Sequence, residues 1–261
     1  MASIPDTRRL ITITASHFCE KARWALDRAG AEYVEEGHFP NAHYLASFWI
    51  ARTPMVPILV DGSKVITDST AILHHVDRLL DTKLRLFPGE PSGREVERLE
   101  DRFDEVLGPA TRVWAYWHWF ERTPDLLRYA GHGTPRVERA LAPFLIGAMK
   151  RLSSWRLAIT EDAAAKALAT VRTLFDEVGA RLSDGQRFLV GDRFSAADLA
   201  FASLAAPALL PAGYGVPAPT LEEAPPAMRT EIGRLRATRA GAFALRLYAE
   251  ERHPAGVASV R

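Results

Sequence analysis

A hydroxyl three residues ahead of the chain's one thiol, in Ser16-His17-Phe18-Cys19, is the sharpest chemical feature of this sequence. The string directly follows a strand-like run and opens a helical one. A helix N-terminus presents unpaired N–H groups and partial positive charge, so it stabilises an anion such as a thiolate. Ser16 stands where it can cap that helix or donate its hydroxyl to a bound sulfur. Cys19, one turn further in, is placed for a lowered pKa. An ordinary cap with a small buried cysteine accounts for the same residues more simply. Val56-Pro57 stands ahead of another strand, where a proline removes no ladder donor. A cis bond there would open the Val56 N–H and C=O to an extended peptide, although only about 5–6% of such bonds are cis. Thr67-Asp68-Ser69 opens a further helix, with amides that suit a carboxylate and an acid that suits an ammonium group. As a lone tripeptide it also serves as a plain cap.

The densest aromatic stretch is Trp114-Ala115-Tyr116-Trp117-His118-Trp119-Phe120. Aromatic residues circle the helix here, so at least one face packs and another is free to line a cleft. Core plus subunit interface is an equal alternative. His74-His75 and His118 invite a metal reading. Adjacent histidines on a helix point about 100 degrees apart, and no carboxylate joins them at ligand spacing, so no metal is expected.

The elements that must hold these groups fall into two rhythms. Arg9 to Thr14 alternates as a half-buried strand does, and Phe18, Ala22, Ala25, Leu26 and Ala29 follow with helical spacing up to Gly30. Glu32 to Gly37 reads as a second strand, and Pro57 to Val60 with Lys64 to Ile66 as a hairpin about Asp61-Gly62. A helix starts at Asp68 with its stripe at Ile72, Leu73, Val76, Leu79 and Leu80. The order β-α-β then β-β-α implies a small mixed sheet covered by helices over residues 1–81. A proline-containing linker at 82–91 leads to an all-α segment, 92–261. There the stripe Val96, Leu99, Phe103, Val106, Ala110, Val113 and Trp117 runs about six turns, with a kink expected at Gly108-Pro109. Ala164 to Leu182 and Phe194 to Leu210 read as further helices, Pro211 to Pro226 as a surface excursion, and two short helices reach about Glu251.

Composition narrows the classes. Lysine and arginine number 33 against 32 acids, so nothing electrostatic points to nucleic acid or an anionic membrane. One cysteine forbids an internal disulfide, and the chain is expected inside the cell. Met1 to Arg9 is polar with no apolar leader behind it, and the longest nearly apolar stretch, Leu199 to Ala212, falls short of the roughly 20 residues a span needs.

Together these segments resemble the glutathione S-transferase family. The string Cys19-Glu-Lys-Ala-Arg-Trp-Ala-Leu26 is close to bacterial members, and Phe188-Leu-Val-Gly-Asp-Arg-Phe-Ser-Ala-Ala-Asp-Leu199 looks like the family's N-capping box, with Ser195 as cap and Asp198 pairing back to the loop. The resemblance implies a thioredoxin-like N-terminal domain that binds glutathione as co-substrate and an all-helical domain that shapes the second-substrate pocket. It implies a cytoplasmic homodimer whose partners are glutathione and a small hydrophobic electrophile, with no nucleic acid or membrane. Carried over residue by residue, Asp68 and Ser69 hold the γ-glutamyl end. Val56, before Pro57, pairs with the cysteinyl part, and Phe18 joins the same site. His43 and Arg52 are the candidates for the glycyl carboxylate. His17, where many relatives have proline, Trp114, Trp117 and His118 border the electrophile. Ser16 is the expected thiolate-stabilising group, with Cys19 as backup. The alternatives are a non-catalytic glutathione- or hydrophobic-ligand-binding protein of this fold, or a thiol-disulfide reductase using Cys19.

Overall fold

The computed structural model describes residues 7–252; residues 1–6, read above for a leader, and the end of the 92–261 segment lie outside them. Strand β1 (Arg8–Ile13) carries Leu10 and Ile11 into the core at zero exposure. It runs parallel to β2 (Tyr33–His38) across helix α1 (His17–Arg28), with Arg8 opposite Tyr33 and Ile13 opposite His38. Helix α2 (His43–Ala51) then leads to the antiparallel hairpin β3 (Ile58–Asp61) and β4 (Lys64–Thr67), and α3 (Ser69–Asp77) follows. The sheet order is β2-β1-β3-β4, with β3 antiparallel to β1. Helices α1 and α3 pack on each other, and α2 packs on β1 and β4. This is the small mixed sheet with helices that the alternating pattern implied.

The remainder of the described chain is helical: α4 (Ser92–Arg102), a π-helical turn at Phe103–Leu107, α5 (Gly108–Trp119), α6 (Thr123–Ala130), α7 (Arg136–Arg156), α8 (Glu161–Arg181), α9 (Ala196–Leu209), α10 (Pro226–Arg236) and α11 (Arg239–Glu250). The first run widens into a π-helical turn just ahead of Gly108-Pro109, and the helix continues through Pro109 into α5. Helix α9 is apolar on every side and buried along almost its whole length, between α1, α4, α5, α10 and α11. It therefore joins the two halves through one core. Its start is held by Asp198, which accepts from Ser195 N–H at 2.8 Å, Ser195 Oγ at 2.7 Å and Leu189 N–H at 2.8 Å. The connecting residues are anchored too. Asp77 accepts from the amides of Leu86 and Phe87, and the Leu86 carbonyl accepts from Ala196.

Candidate functional site

A cleft of about 600 Å³ opens between the sheet-side loops and helices α5, α6 and α7. Ser16 stands on it as the N-cap of α1, half-buried, held by a tight turn in which its N–H donates to Ile13 O at 2.9 Å. Its hydroxyl makes no capping bond to the helix, so it is not committed to the cap. His17 beside it is buried, and its Nε2–H donates to the Gly108 carbonyl at 2.9 Å. Burial first, and the Arg112 charge second, push this imidazole down to about 3, so it is neutral and brings no cation to the cleft. Phe18 lines the cleft with its ring against Gly108, where any Cβ would come within 2.5 Å of Cζ. Only glycine lets α5 approach this closely. Cys19 corrects the expectation of a reactive second thiol. It has zero exposure and does not reach the cleft, and burial pushes its thiol up to about 11 in spite of a hydrogen bond from Ser16. The helix N-terminus favours the anion, but desolvation of the sulfur outweighs it.

The Val56-Pro57 bond is cis, and Val56 lines the cleft. Among the described residues its backbone N–H and carbonyl have no hydrogen-bond partner. His43 also lines the cleft, but as a brace. Its Nε2–H donates to Pro54 O at 3.2 Å, and its Nδ1 accepts from Asn41 N–H at 3.1 Å. Burial pushes it down to about 4, so the expected cation is neutral. Arg52, the other candidate, is exposed at the left-handed end of α2 and does not line the cleft. Neither side chain brings positive charge to a carboxylate here.

At the start of α3, one carboxylate oxygen of Asp68 accepts from Thr70 N–H at 2.9 Å and Ala71 N–H at 3.1 Å. The second oxygen of Asp68 and the Ser69 N–H keep no partner among the described residues, and both residues line the cleft. Ser69 Oγ donates to Asp104 at 3.2 Å. Behind it lies a group that sequence reasoning missed. The fully buried ammonium of Lys21 pairs with Glu100 and Asp104 and donates to Thr70 Oγ1 at 2.9 Å. A lysine in the apolar stripe of the first helix was the available signal. Arg23 on the same helix pairs with Glu20 at 2.8 Å and Glu35 at 2.9 Å, and Arg252 joins Glu20 and Asp27 at 2.8 and 2.6 Å.

The aromatic wall differs from the expectation by one position. Trp114 is 2% exposed in the core, His118 meets it edge-on at 5.4 Å between ring centroids, and neither they nor Trp117 line the cleft. Arg112, Ala115, Tyr116, Trp119 and Phe120 do. Each residue on a helix turns about 100 degrees, so the extra residue of the π turn rotates everything after it by that amount. Before the turn the buried positions match the stripe at Val96, Leu99 and Phe103; after it they fall at Leu107, Ala110, Thr111 and Trp114. The proline-rich excursion also returns to the cleft. Pro211 is buried, and the Tyr214 hydroxyl donates to Ala15 O at 3.4 Å.

Among the described residues no group of three or more His, Cys, Asp or Glu is arranged to hold a metal ion. No helix there is long and apolar enough to cross a membrane. Two family models match the chain: the N-terminal domain of glutathione S-transferase over residues 10–83 and its C-terminal domain over residues 161–230, together more than half the length. None of the curated proteins matches it. Solved structures share the fold. The β-etherase LigF of Sphingobium sp. strain SYK-6 is 19% identical over 92% of this chain and 99% of its own, with TM-score 0.56. Ure2p5 of Phanerochaete chrysosporium, crystallised with 1-(S-glutathionyl)-2,4-dinitrobenzene, is 17% identical over 95% and 97%, TM-score 0.55. Glutathione transferase F7 of Populus trichocarpa is 13% identical over 95% and 100%, TM-score 0.57.

Proposed function

The chain belongs to the glutathione S-transferase family, and from that premise we propose that it activates the glutathione thiol for attack on an apolar or aromatic electrophile. In this reading residues 1–81 bind the tripeptide, 92–261 shape the second pocket, and 82–91 join them. The observation that carries it is Ser16: a half-buried hydroxyl, free of capping duty, on a cleft with peptide-binding groups on one wall and aromatic rings on the other. A free thiol titrates at about 8.5 and is mostly protonated at neutral pH. A hydrogen bond to a charged partner contributes roughly 1.5–3 kcal/mol, enough to lower that value by one to two units. The unpartnered backbone of Val56 suits the cysteinyl amide. The Ser69 N–H suits the γ-glutamyl carboxylate, and the second oxygen of Asp68 the ammonium beside it. The buried Cys19, with its raised thiol, supports the transferase over the reductase reading. The wider reading is a cytoplasmic homodimer, which sedimentation velocity tests.

Calorimetric titration with reduced glutathione decides the tripeptide site. Asp68→Asn is the informative variant, because the amide oxygen can still cap Thr70 and Ala71 while the charge is gone. Binding by the wild type and at least tenfold weaker binding by Asp68→Asn are expected. No binding by the wild type sinks the transferase reading and leaves a ligand-binding relative of the fold.

A further inference from the structure

Arg112 is the charged side chain that the scheme above leaves without work. It stands on α5 one turn after Gly108 and lines the cleft, yet among the described residues its guanidinium has no ion pair and no hydrogen bond. Its Nε is buried with no partner, and its nearest described interaction is with the ring of Phe18, 5.6 Å from the centroid. The acids on the cleft are engaged: Asp104 holds Lys21 and Ser69, Asp125 accepts from Arg122 at 2.7 Å, and Asp68 caps α3. Arg156, over Tyr44 at 5.1 Å, is exposed and keeps its water, whereas the Arg112 Nε is shut off from it. A half-buried cation whose Nε is shut off from water and partner alike is costly, and the usual relief is an anion brought by something that binds. His17 beside it is held neutral and does not compete for that anion.

The surroundings define the rest of the ligand. Tyr116, whose hydroxyl feels the Arg112 charge, lines the cleft together with Trp119, Phe120, Tyr129, Leu126 and Met149, so the cleft that holds this guanidinium also offers planar apolar surface. A guanidinium pairs best with a planar oxyanion that accepts two hydrogen bonds, and its strength rises as water is excluded. We infer that Arg112 forms an anion subsite in the aromatic half of the cleft, and that the second substrate is an aromatic electrophile bearing a carboxylate or sulfonate. The inference rests on the transferase reading for the word electrophile, while the subsite itself requires only that an aromatic acid binds.

Two experiments separate these. Turnover is compared for 1-chloro-2,4-dinitrobenzene, which is neutral, and 4-chloro-3,5-dinitrobenzoate, which carries an acid group on the same ring. In Arg112→Met, kcat/KM for the benzoate is expected to fall at least tenfold further than for the neutral compound, with partial recovery in Arg112→Lys. An equal fall for both overturns the proposal and moves the guanidinium's action to the glutathione sulfur. Binding of 1-anilinonaphthalene-8-sulfonate and of neutral N-phenyl-1-naphthylamine is then followed by fluorescence without glutathione. A loss of at least tenfold for the sulfonate relative to the neutral amine upholds the subsite even where the wild type turns over neither electrophile, an outcome that would remove the transferase reading alone. Equal affinities in wild type and Arg112→Met overturn the subsite.

Discussion

On the sheet side of the cleft, small polar groups and open backbone face the opening, and buried ion pairs stand behind them; on the helical side, aromatic rings face it and the Arg112 guanidinium has no counterion among the described residues. Ser69 is held by Asp104, which is held by Lys21, and α1 is tied on its other flank by Arg23, Glu20, Glu35 and Arg252. The far side has a small satellite core: Phe39, Ala130, Ala142, Ile146 and Met149 carry α6 and α7. A wall fixed by charge pairs in a dry interior has one geometry, because any displacement exposes an uncompensated charge. A wall of stacked rings can shift by small steps at low cost. The difference matches a fixed tripeptide on one side and a variable partner on the other.

The strongest way to break this contrast is to remove its charges. Lys21→Met leaves Glu100 buried and Asp104 partly buried without their cation, and a loss of about 3–5 kcal/mol in denaturant unfolding is expected. Arg112→Met removes a cation that has no counterion, so a stability change under about 1 kcal/mol is expected from the same measurement. Similar losses in the two variants would erase the distinction between the walls.

Next in size is the hydroxyl. Ser16→Ala is expected to cut turnover roughly 10- to 100-fold, the kinetic equivalent of about 1.5–3 kcal/mol, with a smaller change in glutathione affinity. Cys19→Ala leaves turnover in place, because a buried thiol pushed up to about 11 takes no part at neutral pH. The reverse pattern, with activity lost only in Cys19→Ala, would transfer the chemistry to disulfide exchange.

Acid tests the neutral histidines of the sheet side. His17 and His43 fall to about 3 and about 4 in the folded chain, below the ordinary 6.5. The unfolded chain therefore takes up protons first as pH drops, and their stabilisation, complete above about 6.5, is lost on the way down to those values. By pH 5 the cost is about 2 kcal/mol for each ring. Buried Asp198, pushed up to about 6, acts in the opposite sense as it protonates, so the readout is a difference. Unfolding of His17→Gln between pH 7 and pH 5 is expected to change by about 2 kcal/mol less than that of the wild type. Parallel profiles would mean that His17 titrates alike in the folded and unfolded chains and is not held neutral by the fold.

The same contrast governs what the sequence discloses. The sheet-side groups were legible because each is announced by a local signal: a strand end, a proline before a strand, a helix cap. Asp68, Ser69, Val56 and Ser16 were marked by their neighbours and assigned to a site through the family resemblance, and all four line the cleft. Their supports were not, since Lys21, Glu100 and Asp104 meet across more than seventy residues. Two helices were hidden by inverted patterning. Helix α2 buries His43 and Ser47 while exposing Leu45 and Trp49 at 85% and 89%. Helix α7 carries Pro143 inside it and exposes Phe144 and Trp155 opposite the buried Ile146 and Met149. A stripe search looks for an apolar face turned to the core: α2 shows none, and in α7 Val137, Leu141, Phe144, Leu145, Leu152 and Trp155 keep helical spacing on an exposed face.

The smallest expected effect tests which face of α5 reads the aromatic ligand. Tyr116 lines the cleft and stacks on Phe120 at 4.9 Å between ring centroids, whereas Trp117 does not line it. Contact between aromatic rings contributes about 0.5–1.5 kcal/mol beyond area burial. Tyr116→Leu is therefore expected to raise KM for a neutral aromatic electrophile roughly two- to tenfold. Trp117→Leu, one position on and about 100 degrees away, stays within about twofold of the wild type. Steady-state kinetics with the electrophile varied at saturating glutathione separates the two. A larger effect at Trp117 would move the pocket to the neighbouring face of α5. Equal effects would mean that substrate binding reads the whole girdle of rings and that no single face of α5 sets its specificity.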